Sequence, residues 1–531
     1  MTIACCQNRG PLTERVLLAA VLALICVAAV AAPLSEQEQR GKSIYVGGKS
    51  VSGTPITALV SRGGTPITAS ILPCVGCHGD DGKGRPEGGV VPSDVTWPRL
   101  TASYGHDHSY GRSHAAFDET SLARSIILGM DPAGNTLDTA MPRYQMSQAD
   151  MLDLVAYMKR IEDDLDPGLT EDTIRIGTLL PMAGSLQNLG QVMRQVLDAY
   201  LADVNAGGGI HGRTIELVVA ETKADPVESG WQARDLLDQK QVFAIVSGYT
   251  AGIENQIAEL AEEFEVPVVG PYTQLPQEGD GLERHSFYLI GGVIQQGAVL
   301  ARHSRSDGSR RIAVVRPQGK VYDTALERVE AELEARGASV ETSLIYQSRV
   351  FDVTDTATTL SSRSIDTVLF FGQASDLKRL ANAASAVDWQ PDLLLPGVFA
   401  GKDMFEIAEQ FGGRVLVAYS TMPSDHTPRG VAAFEKLHSD HDIDYRYSAA
   451  QISAYVAAAV LVEGLKRAGK ALSREKLLAA LEGLAGFQAG LMPPISYNHS
   501  RRIGAHGGYV VPLDLGKRTF GEASNWISLQ P

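Results

Sequence analysis

Cysteine is scarce in this chain: 531 residues carry five, Cys5, Cys6, Cys26, Cys74 and Cys77. Basic charge is also short, with 47 Lys and Arg against 62 Asp and Glu and a formal charge of −15. That balance argues against a nucleic-acid binder, which wants a basic face for phosphates. Apolar residues make up 44% and charged residues 21%, too polar a mixture for a protein that spans a membrane many times. What apolar run there is near the start, "VLLAAVLALICVAAV" from Val16 to Val30, is shorter than the roughly 20 residues a spanning helix wants.

That run follows Arg9 and Arg15 and ends in "AAPLSEQEQR". A basic start, a short apolar stretch and small residues after it predict a secretory signal over residues 1–32, cleaved near Ala31 or Ala32. The alternative is an uncleaved anchor. Ile25, where a small residue should precede Cys26, argues against a lipoprotein. Cleavage removes Cys5, Cys6 and Cys26, so the mature chain, expected in the periplasm, keeps only Cys74 and Cys77. One close pair excludes a disulfide framework and a cysteine-rich zinc site.

The remaining pair stands in "ILPCVGCHGDDGKGRP". C-x-x-C-H in an exported chain is the pattern of c-type haem attachment. Residues three apart on a helical turn face one side, so both thiols reach the two vinyl groups and His78 is directed at the iron. The alternative, a thioredoxin-like redox pair, should follow a strand in a βαβ unit, whereas both flanks here read as loop. The glycine-rich tail is no phosphate loop, because Gly84 stands where Ser or Thr should follow Lys83.

A low-spin electron carrier needs a sixth iron ligand. The candidates are Met130, Met141, Met146, Met151, Met158 and the histidines His106, His108 and His114 of "GHDHSYGRSH". Met151, Leu154, Val155 and Met158 recur at helical spacing, which predicts a core face. The three histidines could also bind a metal of their own, although loop histidines are more often solvated. The order of a "RGKSIY" helix, CVGCHG, a loop methionine before proline and a closing helix resembles the class I cytochrome c family over residues 35 to 162. The resemblance implies one covalent haem c on Cys74 and Cys77, with His78 and Met141 as axial ligands. Thioether ligation implies a higher potential than bis-histidine ligation. "GTPITA", present at Gly53 and again at Gly64, departs from a minimal cytochrome and predicts a small extended or hairpin insertion, with too few copies for a solenoid.

At 531 residues the chain needs two or three compact units. "DDLDPGLTEDT" reads as a linker, which gives a signal at 1–32, a cytochrome domain at 33–162, a linker at 163–171 and a larger domain at 172–531. Beyond the linker, apolar runs ("TIRIGTLL", "TIELVVA", "VFAIVSG", "VPVVG") alternate with amphipathic helical stretches. The rhythm restarts at "RRIAVVR" and continues through "VETSLIY", "DTVLFFG", "DLLLPG" and "VLVAYS". Buried runs between amphipathic helices predict parallel sheets flanked by helices, here two α/β lobes. The helices around "AAQISAYVAAAVLVEGLKRAG" and "SREKLLAALEGL" are expected to pack back on one of them. The fold class is thus multidomain: a small all-α cytochrome c domain followed by a two-lobed α/β unit.

The segments "IRIGTLLPMAGSLQNLG", "NAGGGIHGRTIELVVAETKADP", "FAIVSGYTAG", "EVPVVGPYT" and "STMPSD" resemble the type I periplasmic binding proteins, specifically the branched-chain amino acid receptors of ABC transporters, over residues 172 to 520. The resemblance implies a ligand cleft between lobes that close by a hinge, and an ABC permease as partner. Where such receptors place a carboxylate-binding hydroxyl, this chain has Ala251; where they place a threonine after "GPYT", it has Gln274. The second-lobe aromatic is Ala374, and the acid for the ammonium is missing around Gly397. A buried charge without its partner is costly, so a zwitterionic amino acid is expected to be a poor ligand. Ser185, Tyr249, Thr250, Ala251, Tyr272, Thr273, Tyr322 and Gln373 remain as ligand-binding candidates, suited to a neutral or aromatic small molecule; the alternative is that some tyrosines merely pack the hinge. "GYTAG" has the shape of a hydrolase elbow, but threonine is rarely the nucleophile there and no acid–histidine pair follows.

The resulting expectation is a non-enzymatic, exported c-type electron-transfer protein with a solute-binding module and a redox partner protein. The alternatives are an ABC receptor whose haem only docks or senses, an electron acceptor for a periplasmic dehydrogenase, and a haem enzyme, which Met141 on the iron would disfavour.

Overall fold

The computed structural model describes residues 34–61, 63–86, 88–108, 111–277, 283–304 and 310–529. The expected signal segment, with Arg9, Arg15, Cys5, Cys6 and Cys26, lies outside the described residues. The chain divides into two units between Leu165 and Asp166.

In the first unit, helix α1 (Glu36–Gly47) starts from a reciprocal cap: the Ser35 hydroxyl accepts the Glu38 N–H, and the Ser35 N–H donates to the Glu38 carboxylate at 2.7 Å. Strands β1 (Thr57–Val60) and β2 (Thr65–Thr68) follow. They form an antiparallel hairpin in which the end of the first GTPITA copy faces the second, Thr57 opposite Thr68 and Ala58 opposite Ile67. The expected hairpin insertion is therefore present. Next come the short helix α2 (Cys74–His78), the two-residue strands β3 (His106–Asp107) and β4 (Ser113–His114), and helix α3 (Glu119–Leu128). Strand β5 (Arg143–Gln145) and helix α4 (Gln148–Met158) close the unit.

The expectation of an all-α unit needs one addition. β5 pairs with β1, making a three-stranded sheet in the order β2-β1-β5. Ala58 and Tyr144, opposite each other, are both buried, so the pairing is held by core packing between distant segments. Local periodicity carries no trace of it.

Helices α1 and α4 cross at Gly41. A Cβ there would sit 2.0 Å from the Asp153 carbonyl oxygen and 2.7 Å from the Tyr157 Cβ, so only glycine permits this approach. Ile44 and Tyr45 bury against Leu154, Val155, Tyr157 and Met158, and the Tyr45 and Tyr157 rings lie 5.5 Å apart. Met151 and Met158 are buried in this cluster, as their spacing predicts.

The second unit begins with β6 (Thr173–Leu180), α5 (Gln187–Ala206), β7 (Thr214–Glu221), α6 (Pro226–Asp238), β8 (Ala244–Val246), α7 (Glu254–Glu263), β9 (Val268–Val269) and β10 (Ser286–Ile290). It continues through α8 (Val293–His303), β11 (Ile312–Pro317), α9 (Lys320–Glu334), β12 (Val340–Tyr346), α10 (Val353–Ser362), β13 (Thr367–Phe370), α11 (Ala374–Ala386), β14 (Asp392–Pro396) and β15 (Val415–Tyr419). Helices α12 (Pro428–Asp440), α13 (Ser448–Ala468) and α14 (Arg474–Glu482) precede β16 (Ile503–Ala505), β17 (Gly507–Asp514), β18 (Thr519–Phe520) and β19 (Ile527–Ser528).

These strands build two sheets, as the doubled rhythm predicts. The first has the order β16-β10-β9-β8-β6-β7 and is parallel throughout. The second has eight strands, β12-β11-β13-β14-β15-β17-β18 with β19 beside β17, and is parallel up to β15. β17 runs antiparallel to β15. β6 and β12 coincide with the runs "TIRIGTLL" and "VETSLIY".

The chain passes between the lobes after β10, after β15 and between β16 and β17. At these crossings the Ser420 hydroxyl donates to the Gly291 carbonyl at 2.7 Å and lies 3.1 Å from the Gln296 amide nitrogen. Gln296 in turn accepts the Val398 N–H at 3.0 Å. This buried polar knot ties two of the crossings together, which is where a two-lobed unit bends. Helix α13 is long and apolar enough by composition to cross a membrane, but most of it is buried, where it packs against α5 and the first sheet. It is a core helix, and the first lobe is the one the C-terminal helices return to.

Candidate functional site

Two sites emerge, one in each unit. In the first, Pro73 is extended and α2 makes a single helical turn, so Cys74 and Cys77 fall on one side of it. Neither is in a disulfide. Cys74 packs against the unit's core together with Val75 and Met141, and burial pushes its thiol up to about 12. Cys77 is exposed.

His78 follows directly. Its Nδ1–H donates to the Ser93 carbonyl oxygen at 2.8 Å, which leaves the Nε2 lone pair as the ligating atom. Burial lowers its basicity, outweighing the Ser93 hydrogen bond and Asp94, which both raise it. Ser93 is delivered by the glycine-rich tail, which folds back on α2: the Gly84 N–H donates to His78 O at 2.8 Å and the Arg85 N–H to Cys77 O at 2.8 Å. Gly84 has φ +86, and a Cβ on it would meet the Pro92 carbonyl oxygen at 2.3 Å. Gly84, which denies the tail a phosphate-loop identity, therefore serves the histidine. Sequence reasoning missed Ser93, because nothing in its local pattern marks a carbonyl as an acceptor.

The Met141 loop is braced from the other side. Arg143 donates to the Met141 carbonyl and, at 2.9 Å, to that of Leu137, while its guanidinium covers Gly129, where a Cβ would come within 1.7 Å. Tyr144 donates to the Leu72 carbonyl at 2.6 Å, connecting this loop to the approach of α2. Met141 is half-buried, as are Met130 and Met146. Ile71 and Leu72, just before Cys74, expose 67% and 37% of their surface, an apolar border beside the thiols.

These residues fit a haem. The donor set is two free thiols on one turn, a neutral imidazole with its outer nitrogen engaged, and a half-buried thioether on the same core cluster whose backbone carbonyl Arg143 holds. Cys74 and Cys77 would hold the porphyrin edge, with His78 and Met141 at the iron.

The second candidate set lies at the C-terminal ends of the parallel strands, the place where α/β sheets commonly receive ligands. On the first lobe, Tyr249 and Tyr272 form a parallel bridge. The Tyr249 N–H donates to Leu179 O and the Tyr272 N–H to Gly248 O, each at 2.7 Å, and the two rings lie 6.3 Å apart at 31°. Burial raises both phenols above their ordinary value, so both are neutral hydrogen-bond donors. Thr250 is buried, and its N–H reaches Tyr272 O at 3.3 Å. Ser185, in the turn Gly184–Leu186 after β6, and Ala251 are exposed.

Thr273 is engaged within its own lobe. Its hydroxyl donates to Glu254 at 2.7 Å and accepts the Leu275 N–H at 2.9 Å, while Glu254 also accepts the Gly252 N–H at 2.8 Å. Thr273 and Glu254 thus clamp the two cleft loops to each other. On the second lobe, Tyr322 stacks on Phe399 with centroids 6.4 Å apart. Gln373 is exposed at the start of α11, with Ala374 buried behind it. The candidates accordingly fall into a first-lobe set (Ser185, Tyr249, Thr250, Ala251, Tyr272, Thr273) and a second-lobe pair (Tyr322, Gln373).

Three acids among the described residues of these loops, Glu254, Asp376 and Asp425, have internal partners. Glu254 holds Thr273 and Gly252. Asp376 accepts from Ser348 at 2.6 Å and from Arg379 at 3.1 Å. Asp425 accepts from Tyr509 and, at 2.7 Å, from the Met422 N–H.

A family model described as Periplasmic binding protein matches residues 173–518, and one described as Cytochrome c matches residues 71–162. Among characterised proteins, Leu/Ile/Val-binding protein homolog 7 of Brucella abortus is 24% identical over 318 residues, covering 55% of this chain and 77% of that protein. Leu/Ile/Val-binding protein BraC3 of Rhizobium johnstonii is 22% identical, covering 68% and 90%. Among solved structures, a branched chain amino acid ABC transporter from Thermus thermophilus with bound valine superposes with a TM-score of 0.53 at 16% identity, covering 68% of this chain and 98% of that one. A periplasmic binding protein type 1 from Bordetella pertussis gives 0.52 at 17% identity, covering 67% and 100%. The structural likeness establishes the fold of the second unit.

Proposed function

We propose, from the premise that this chain belongs to the periplasmic binding protein family and carries a cytochrome c domain before its binding domain, that it is an exported single-haem electron-transfer protein with a solute-binding module. The observation that carries the redox half is the Nδ1–H of His78 on the Ser93 carbonyl, beside two thiols on one turn. A haem bound there supplies one-electron chemistry at iron. The chain's own part is to fix the imidazole tautomer, to brace the Met141 carbonyl through Arg143, and to bury one face of the site in the α1–α4 core.

The solute is a neutral or aromatic small molecule. Tyr249 and Tyr272 offer neutral phenols at the first-lobe loops, and Tyr322 presents a stacked ring on the second. An amino-acid ammonium needs a carboxylate to replace its hydration, and Glu254, Asp376 and Asp425 are already engaged. The named relatives are Leu/Ile/Val-binding proteins, so a branched-chain amino acid is the competing ligand, and an ABC permease is the partner that reading brings. An electron acceptor for a periplasmic dehydrogenase remains the alternative for the redox half.

The test is spectroelectrochemical titration of the purified exported protein, combined with a thermal-shift panel of leucine, valine, neutral solutes and aromatic solutes. A reversible one-electron low-spin haem, together with a shift from neutral or aromatic solutes only, supports the reading. An irreversible or absent couple contradicts the redox half. A shift from leucine or valine contradicts the ligand class.

A further inference from the structure

Three histidines outside the haem motif meet on one hairpin. β3 and β4 pair His106 directly with His114, and the ring centroids of His106 and His108 lie 5.0 and 5.1 Å from that of His114. His106 and His114 are buried, and Phe117 closes one side with its ring 4.9 Å from His114. Solvated loop histidines do not assemble in this way.

The hydrogen bonds settle which nitrogens are free. His114 donates from Nδ1 to the Ala115 carbonyl at 2.8 Å, so its Nε2 carries the lone pair. His106 donates from Nε2 to the Leu100 carbonyl at 3.3 Å, leaving Nδ1 free. His108 Nε2 lies 3.0 Å from His114 Nε2. An imidazole whose outer nitrogen is anchored on a carbonyl is the arrangement that metal-ligating histidines use.

The spacing suits a shared ion as well as the hydrogen bond the two rings make. Two nitrogens bound to one ion at about 2.0–2.1 Å stand roughly 2.9 Å apart at a right angle and roughly 3.4 Å apart at the tetrahedral angle. The 3.0 Å between His108 and His114 falls inside that range. The nearby cation Arg112 is neutralised by the buried Asp131 at 3.1 Å, and Asp131 is itself occupied by the Ala133 and Asn135 N–H groups.

We propose that His108 and His114 bind a divalent, imidazole-preferring transition-metal ion of the zinc or copper(II) kind at a site separate from the haem. Both ligate through Nε2. His108 does so by moving its proton to Nδ1, so no net proton is released. Among the described residues no group of three or more His, Cys, Asp or Glu side chains already converges as a complete site, so solvent fills the remaining positions. Imidazole nitrogens suit both ions.

The test is calorimetric titration of the full haem-loaded protein, free of any affinity tag, with Zn2+, alongside H108A and H114A. Wild type is expected to bind one Zn2+, with affinity falling at least about tenfold in each variant and the haem absorption spectrum unchanged in all three. Should a variant fail to fold, zinc protection of His108 and His114 from diethylpyrocarbonate in the wild type reads the same contact. With Cu2+, the electron paramagnetic resonance spectrum should show hyperfine splitting from two imidazole nitrogens. Equal Zn2+ affinity in wild type and both variants, no binding at millimolar Zn2+, or a haem spectrum altered by H108A would each overturn the proposal; the last would assign these histidines to the iron.

Discussion

His78 Nδ1 lies 2.8 Å from the carbonyl oxygen of Ser93, and the loop that brings Ser93 there turns on Gly84. Gly84→Ala forces a side chain into the Pro92 carbonyl at a backbone angle that favours glycine. The haem should remain covalently attached, because Cys74 and Cys77 are untouched. Its iron should lose the orientation of His78, with ligand-binding constants for added imidazole or CO rising roughly 10-fold or more. Titration of the variant with imidazole checks this, and an unchanged constant would show that the Ser93 contact is unimportant.

Met141 is the expected sixth ligand, placed in the same core cluster as Cys74. Met141→Ala should open the iron to CO in the reduced state, while wild type stays closed. Met141→His should lower the midpoint potential, since thioether ligation favours the reduced form. If wild type binds CO rapidly at neutral pH, or if Met141→Ala leaves the spectrum unchanged, Met130 or Met146 becomes the ligand to examine.

The Cys74 thiol is pushed up to about 12 by burial. A folded-state value above the unfolded one (about 8.5) means the unfolded chain loses this proton first as pH rises. The stabilisation is therefore complete below about pH 8.5 and is lost progressively toward pH 12. In protein produced without haem, alkylation at neutral pH should modify Cys77 and spare Cys74, and Cys74 should react faster by about tenfold per pH unit up to about 12. Mass spectrometry of the alkylated peptides reports this. Equal labelling of both cysteines at pH 7 contradicts the burial of Cys74.

In the cleft, Tyr249→Ala or Tyr272→Ala should weaken binding of the neutral or aromatic solute by about tenfold, or about 1.4 kcal/mol. Thr273→Val should act differently. It breaks the clamp with Glu254 and lowers the melting temperature, since it leaves a half-buried acceptor without its donor. Comparing binding isotherms with melting curves separates the two roles.

Arg474 is buried and donates to three carbonyls, those of Phe243 at 3.1 Å, Phe264 at 2.7 Å and Val242 at 2.8 Å. Its own N–H donates to Asp166 at 2.6 Å. Arg474→Met keeps the volume but strands those acceptors, so the second unit should lose about 3 kcal/mol or more, read as a lower urea midpoint. A loss below about 1 kcal/mol would mean that water replaces the guanidinium.

Most elements are legible in the sequence because their signals are local. "TIRIGTLL" is a continuous apolar run and folds as β6, with Leu179 and Leu180 fully buried. The motif Cys74–His78 is legible because both thiols and the imidazole occupy a single turn. What escaped depends on contacts between distant segments. Ser93 acts through its carbonyl, an atom every residue has. β5 joins β1 across the whole first unit. Arg474 reaches strand ends more than two hundred positions away. Thr273 reads from the sequence as a ligand-binding hydroxyl, and its bond to Glu254, at the start of α7, is visible only in the fold. The three histidines were visible as residues, but only the β3–β4 pairing brings His108 and His114 within 3.0 Å.

The central claim is that Cys74 and Cys77 carry a thioether-bound haem in a chain built to bind a solute. Intact-mass analysis of the exported protein after acid–acetone extraction tests it most directly. The account predicts a mature chain heavier by one haem, with the pigment retained on the peptide that contains Cys74, Cys77 and His78. A protein that loses its colour to the solvent, or whose mass equals that of the bare polypeptide, would contradict it.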